Sequence, residues 1–336
     1  METWDLLRNI WFILVGIFLV GYSILEGIDL GIGILFPFLA KKEKEKQMLY
    51  KTIGPFWDGN EVWLLTGGGA LFAAFPHAYA TVFSGFYLAL MVVLFALIFR
   101  AVSLEFRSHD HKRKGFWEGA FIISSFLPSL LYGVALGNIV AGVPLNSRMD
   151  YTGNFFTLLR PFPLIIGLLG LTAILLQGST FAGLKLSGEL RERACKTTRI
   201  LTNVHLALFM LSFLATVLYI PDVLQRPLAW IFTVFVILSL VFLRIVLQKG
   251  KDLLVFIMSS TSFLSLWGIV GAIHFPNLVK ASNDTTLSIT IYNASSSELT
   301  LRVMLIIALI GMPFVIGYTI FLYKVFKGKV RMEEGY

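Results

Sequence analysis

The sequence predicts an all-α integral membrane protein with nine transmembrane helices, its N-terminus outside and its C-terminus in the cytoplasm. Three observations predict it. Of 336 residues, 57% are hydrophobic and only 14% charged, whereas soluble domains run at roughly 45–50% apolar and about 25% charged. The mean hydropathy is +0.78. Nine apolar runs are long enough to cross roughly 30 Å of hydrocarbon at about 1.5 Å per residue, and basic residues fall in alternate connections between them.

The runs cover about residues 9–38, 55–75, 78–100, 117–140, 162–184, 201–220, 228–247, 254–274 and 303–325. The first is too long for the apolar core of a cleavable signal, so none is expected. The second is interrupted by glycine and polar residues. Pro76, His77 and Ala78 read as a tight hairpin between the second run and the third. Residues 141–161 carry Gly142, Pro144, Asn146, Gly153, Asn154 and Pro161, all turn formers, and read as a long loop. In residues 276–301, Leu287, Ile289 and Ile291 alternate with Ser288 and Thr290, which predicts a short strand. Trp4, Trp11, Trp117, Trp230 and Trp267 lie near run ends, where indoles anchor at the membrane interface. One membrane domain therefore takes up residues 1–336.

Charge sets the orientation. The connections after runs one, three, five, seven and nine hold 22 of the 28 Lys and Arg residues, from Lys41 to Arg331. The opposite side holds the other six: Arg8, Arg148, Arg160, Arg226, Lys280 and Arg302. Cytoplasmic loops carry the excess of Lys and Arg. The same bias accounts for the net charge of +8 by loops near anionic lipid, without nucleic acid. The single cysteine, Cys195, excludes an internal disulfide and a thiolate metal cluster.

Acidic residues inside the runs are the chemical signal, since Asp at a helix centre costs about 2.5–3.5 kcal/mol on insertion scales. Glu26 and Asp29 are three apart in the first run and share one helix face. Gly27, Gly31 and Gly33 beside them let another backbone approach closely, which puts that face inside the bundle. Asp58 and Glu61, with Trp57, Asn60 and Trp63, open the second run. Glu105 follows the third run between Arg100 and Arg107. With the predicted orientation, all these carboxylates gather toward the cytoplasm, as a proton-uptake funnel reaching partway across. The bland alternatives are a protonated pair bonding a neighbouring helix for Glu26 and Asp29, and an interfacial pair with Arg100 for Glu105. His205 and His274 lie in runs at different depths, cannot share one metal or haem, and read as packing histidines. No spacing matches a metal site, and no phosphate loop, nucleophile motif or dinucleotide fingerprint is present. A proton-coupled secondary transporter is the alternative function, although no inverted repeat is visible. A purely structural scaffold is the third.

Certain blocks are more specific: Glu26-Gly27-Ile28-Asp29-Leu30-Gly31, Trp57-Asp58-Gly59-Asn60-Glu61-Val62-Trp63, Gly67 to Ala74, Phe83 to Tyr87, Gly133 to Asn138, Gly142-Val143-Pro144 and Tyr151 to Phe156. Together they resemble subunit II of the cytochrome bd-type quinol oxidase, over essentially the full length. The resemblance implies a respiratory enzyme of the bacterial plasma membrane that oxidises quinol and reduces oxygen to water, generating proton motive force. It implies that two haems b and one haem d reside in a partner, subunit I, in a heterodimer. This chain is then expected to ligate no cofactor and to supply no catalytic residue. In the family, carboxylates at the positions of Asp29, Asp58 and Glu105 are associated with proton delivery, and Glu26 joins them here. Trp63 is associated with oxygen access, with Trp57, Asn60, Glu61 and Arg100 in support. Some members carry Asp at positions 26 and 105, where this chain has the longer Glu. Some also hold a quinone in subunit II. The remaining expected partners are membrane lipids, quinol and oxygen through the complex, and optionally a small additional subunit.

Overall fold

The computed structural model describes residues 3–110 and 112–330; His111 and Arg331 lie outside them. In chain order the helices are α1 (Thr3–Leu39), α2 (Glu43–Ile53), α3 (Trp57–Ala74), α4 (Pro76–Gly85), α5 (Tyr87–His109), α6 (Lys114–Ala141), α7 (Pro161–Lys185), α8 (Gly188–Tyr219), α9 (Pro227–Gln248), α10 (Asp252–His274) and α11 (Glu298–Val325). Among the described residues eight helices, α1 and α5 to α11, are long and apolar enough to cross a membrane. The 18-residue α3 is not among them, because Asp58, Asn60 and Glu61 dilute its apolar content.

The expected third run is redrawn. Pro76 does not make a hairpin; it is the first residue of the ten-residue α4, where its fixed φ and missing N–H suit a helix start. Phe75, restricted by the following proline, leaves the helical region at φ −135° and ψ 65° and ends α3. The long helix begins at Tyr87 and continues to His109. Apolar residues run unbroken past Gly85 and Phe86, so hydropathy does not register the break between α4 and α5.

The central helix is α1, which packs against α3, α6, α7, α10 and α11. Every residue from Glu26 to Phe36 is buried. Glycine makes this possible. A Cβ on Gly31 would lie 2.3 Å from Ile174 O and 2.9 Å from Gly178 Cα of α7, and one on Gly33 would lie 2.1 Å from Ser125 Oγ of α6. The helix axes approach until backbones touch, as small residues allow.

The two ends of the bundle are tied by different chemistry. At the basic end, Arg107 pairs with Glu43 at 3.1 Å and Glu118 at 2.7 Å, Arg191 pairs with Asp252 at 2.8 Å, and Arg193 bonds Glu45 and the Leu39 carbonyl. At the other end the ties are to backbone: Ser296 N donates to Ala74 O at 2.9 Å, and Val143 N to Lys280 O at 2.9 Å. A two-stranded antiparallel ribbon, β1 (Asn277–Val279) with β2 (Ile289–Thr290), covers this end. The predicted strand is thus present but reduced to two residues. Two tryptophans depart from the anchoring expectation. Trp11 is buried and its Nε1 donates to Leu301 O at 3.0 Å, and Trp267 Nε1 donates to Ser23 Oγ at 2.9 Å. Both N–H groups are spent inside the protein, Trp11 being buried and Trp267 half-buried.

Candidate functional site

The buried face of α1 presents Glu26 and Asp29 three residues apart, one above the other, at 1% and 0% exposure. Arg100 reaches them from α5 and is fully buried. Its Nη1 lies 2.6 Å from Glu26 Oε1 and its Nη2 lies 2.5 Å from Glu61 Oε1 on α3. One planar guanidinium therefore bridges carboxylates on two other helices, the geometry its fork of donors favours. Asn60, one residue before Glu61, points to the other acid: its Nδ2 donates to Asp29 Oδ2 at 2.7 Å and to Leu25 O at 3.3 Å. The second carboxylate oxygens, Glu26 Oε2 and Asp29 Oδ1, meet no protein hydrogen-bond donor among the described residues. Three carboxylates, one guanidinium and one amide thus meet between α1, α3 and α5.

The cluster extends one turn along α1. Tyr22, four residues before Glu26, shares a 3.0 Å hydroxyl hydrogen bond with Tyr132 of α6, the rings meeting edge to face. Trp63 lies against α1 at Gly21, where a Cβ would fall 2.2 Å from the indole. On the far side of α1, Gln177 of α7 donates to Ile24 O at 3.1 Å and Ser260 Oγ at 2.9 Å and accepts from Ser259 at 2.6 Å. Tyr22, Tyr132 and Gln177 were not singled out from the sequence. The available signal was a hydrogen-bonding side chain alone in an apolar run, which for tyrosine is too common to mark a site.

The structure thus brings together Glu26, Asp29, Asn60, Glu61 and Arg100, with Trp63 beside them. It leaves Asp58, Trp57 and Glu105 apart. Asp58 is exposed in the first turn of α3 and accepts from the N–H of Gly59 at 2.7 Å. Trp57 is half-buried next to it. Glu105 is exposed on α5, and Ser108 Oγ donates to its backbone carbonyl at 2.8 Å. The alternative pairing of Glu105 with Arg100 is not formed. Five residues advance a helix by about 140° past a full turn, so the two side chains leave α5 on different faces.

The histidines are held by protein groups. His205 Nδ1 shares a 2.9 Å hydrogen bond with Thr172 Oγ1, and His274 Nε2 shares one of 3.0 Å with Leu278 O. Among the described residues no three His, Cys, Asp or Glu side chains converge as a metal ion would require.

Comparison with known proteins gives the family. Residues 7–326 match the family described as cytochrome bd terminal oxidase subunit II. The chain belongs to that family. It is 34% identical over 370 residues to the cytochrome bd-I ubiquinol oxidase subunit 2 of Escherichia coli (strain K12), covering 99% of this chain and 98% of that one. It is 36% identical over 336 residues to the cytochrome bd ubiquinol oxidase subunit 2 of Bacillus subtilis (strain 168), covering 98% of each. Its fold matches a chain of the bd oxidase from Geobacillus thermodenitrificans with a TM-score of 0.82 at 17% identity, over 95% of this chain and 98% of that one. The chain is accordingly a subunit of a bd-type quinol oxidase, an oxidoreductase complex, and a multi-pass protein of the bacterial inner membrane.

Proposed function

We propose that this chain is the haem-free subunit of its oxidase, that it supports subunit I, and that it carries protons from the cytoplasm toward the site of oxygen reduction. The cluster of Glu26, Asp29, Asn60, Glu61 and Arg100 is the observation that carries this reading. On the same reading the chain has nine spans, α3 being the ninth, with the N-terminus outside and the basic end cytoplasmic. Loop charge supports that assignment.

Reduction of one oxygen to two waters takes up four electrons and four protons. The haems expected in subunit I supply the electron transfer and oxygen chemistry. The residues here hold and pass protons. Two buried carboxylates, with the half-buried Glu61 beside them, around one guanidinium would leave an excess of negative charge where water is scarce, and bound protons offset that excess. A proton taken up by one carboxylate and released by another is general acid–base work, which needs hydrogen-bond reach. Asn60 and Arg100 fix the two acids of α1 in that reach. Asp58 and Glu105, being exposed, serve uptake at the surface, and Glu61, 28% exposed, links surface and interior. Trp63, seated on Gly21, is assigned to oxygen access. Protons drawn from one side while quinol releases its own on the other separate charge without a pump.

The test is Asp29→Asn in the whole oxidase. Asparagine keeps the shape and accepts from Asn60 but cannot carry a proton. Quinol oxidase turnover is expected to fall at least tenfold at unchanged haem absorbance and subunit stoichiometry. Asp58→Asn, at an exposed position, is expected to lower turnover less. Unchanged turnover of D29N at equal haem content would overturn the proton-route reading.

A further inference from the structure

Two cavities meet at the end of the bundle opposite the basic loops. The larger, about 130 Å³, lies among α6, α7, α8 and α10, with Leu136, Phe162, Phe209, Phe263 and Leu266 among its walls. The smaller, about 40 Å³, is lined by Asp222, Arg226, His274, Asn277 and Lys280. Val140, Val223 and Ile273 line both. A polar chamber and an apolar one therefore share a wall, and together they have the chemistry of an amphiphile: a head at one end and a tail at the other.

The polar chamber selects the head. Arg226 donates one bond, from Nη1 to Phe275 O at 3.2 Å, and neither Arg226 nor Lys280 forms an ion pair among the described residues. Two cations face one carboxylate, Asp222, so the chamber favours an anion. Guanidinium, ammonium and the Asn277 amide are donors suited to phosphate oxygens. The apolar chamber selects the tail. An apolar protein cavity of about 150 Å³ binds benzene, so this one has room for a stretch of hydrocarbon on the order of six carbons. A neutral head, such as that of a quinone, would fill the space but leave both cations without a counter-charge.

We propose that these joined cavities bind one anionic phospholipid, its phosphate at Arg226 and Lys280 and the first part of one acyl chain between α6, α7, α8 and α10. The cavities share no lining residue with the Glu26 cluster, and the proposal does not depend on the proton-route reading.

The experiment uses the whole oxidase, stripped of loose lipid with mild detergent. It is then incubated with vesicles of phosphatidylglycerol or of phosphatidylcholine, repurified, and its bound lipid measured by mass spectrometry. The wild type is expected to retain phosphatidylglycerol in preference to phosphatidylcholine. Arg226→Gln with Lys280→Gln should remove that preference and lower the retained phosphatidylglycerol at least tenfold from about one molecule per complex. Ser212→Phe, which fills the apolar chamber, should reduce retention of both lipids. The mouth variant changes only side chains at the bundle end, so it remains decisive if S212F fails to assemble. Equal retention by wild type and mouth variant, displacement of the lipid by inorganic phosphate alone, or a quinone in place of the lipid would each overturn the proposal.

Discussion

Arg100 of α5 holds its guanidinium Nη1 2.6 Å from Glu26 Oε1 of α1, and neither side chain reaches solvent. Because α5 packs chiefly along α6, this pair is a main tie between α5 and the central helix. Removing one partner of a buried pair strands the other charge, at a cost of about 3–5 kcal/mol, whereas replacing both with apolar groups is often close to neutral. Arg100→Leu should therefore lower the thermal unfolding midpoint of the oxidase sharply, and Glu26→Leu added to it should restore much of the loss. A double-mutant cycle measures the difference; additive losses would show that the two residues do not act as a pair.

The contact of Gly31 with Gly178 predicts a steric result. A Cβ on Gly178 would lie 2.5 Å from Gly31 C and 2.6 Å from Ile32 N, and backbone cannot step aside as a side chain can. Gly178→Ala should cost about 1–3 kcal/mol, the range for overpacking. Gly16 on the same central helix has open space around its Cβ direction, so Gly16→Ala should be neutral or stabilise by up to about 1 kcal/mol through helix propensity. Thermal unfolding in detergent separates the two.

Glu45 predicts a pH dependence at the basic end. Burial alone would push its carboxyl up. The Arg193 guanidinium and the backbone N–H groups of Lys41 and Lys42 more than offset that, and bring it from 4.5 to about 2. The N–H donors lie 2.6 and 3.0 Å away. A carboxylate lowered on folding stabilises fully above about 4.5, and its contribution disappears as pH falls to about 2. Glu45→Gln should therefore destabilise the protein at pH 7 by about 1.5–3 kcal/mol, the usual worth of hydrogen bonds to a charged group, and lower the midpoint accordingly. The gap between wild type and variant should close as pH falls below about 4. A gap that is constant with pH would mean that the charge is not what stabilises this corner.

Trp11→Phe tests the junction of α1 with α11. It keeps an aromatic ring in the core but strips the Leu301 carbonyl of its indole donor. The Leu301 carbonyl keeps its helical bond, so the expected loss is that of one hydrogen bond, about 0.5–1.5 kcal/mol, read as faster proteolysis near residue 301 and a lower midpoint.

Much of the site was legible because intramembrane acids are rare. Glu26 and Asp29 stood out as costly, their spacing put them on one face, and the adjacent glycines placed that face inside; the structure agrees on burial and close approach. Asn60 and Glu61 were legible as neighbours at a helix mouth. What could not be read was direction. Asp58 and Asn60 are two residues apart, so about 200° of helix rotation separates them, and only the packing of α3 on α1 decides which turns inward. The partner of Arg100 was missed for the same reason: Glu105 is near in sequence, whereas Glu26 and Glu61 are near only after three helices assemble. The Pro76 break was misread because a proline that starts a helix and one that stops a chain look alike in composition.

One helix remains unlike the others. Only Leu301 is buried in all of α11, which is 28 residues long and thus roughly 42 Å from end to end. It is pinned near its start, where Trp11 holds Leu301, and past its finish, where Lys185 bonds the Phe326 carbonyl and Val330 N donates to Lys185 O at 2.8 Å. Between those pins it behaves as a strut rather than a wall. Mutational drift at its exposed middle positions, such as Ile306, Leu309, Ile310 and Phe314, is therefore cheap for this subunit's own fold, and selection on those positions must come from the lipid or the neighbouring chain that they face.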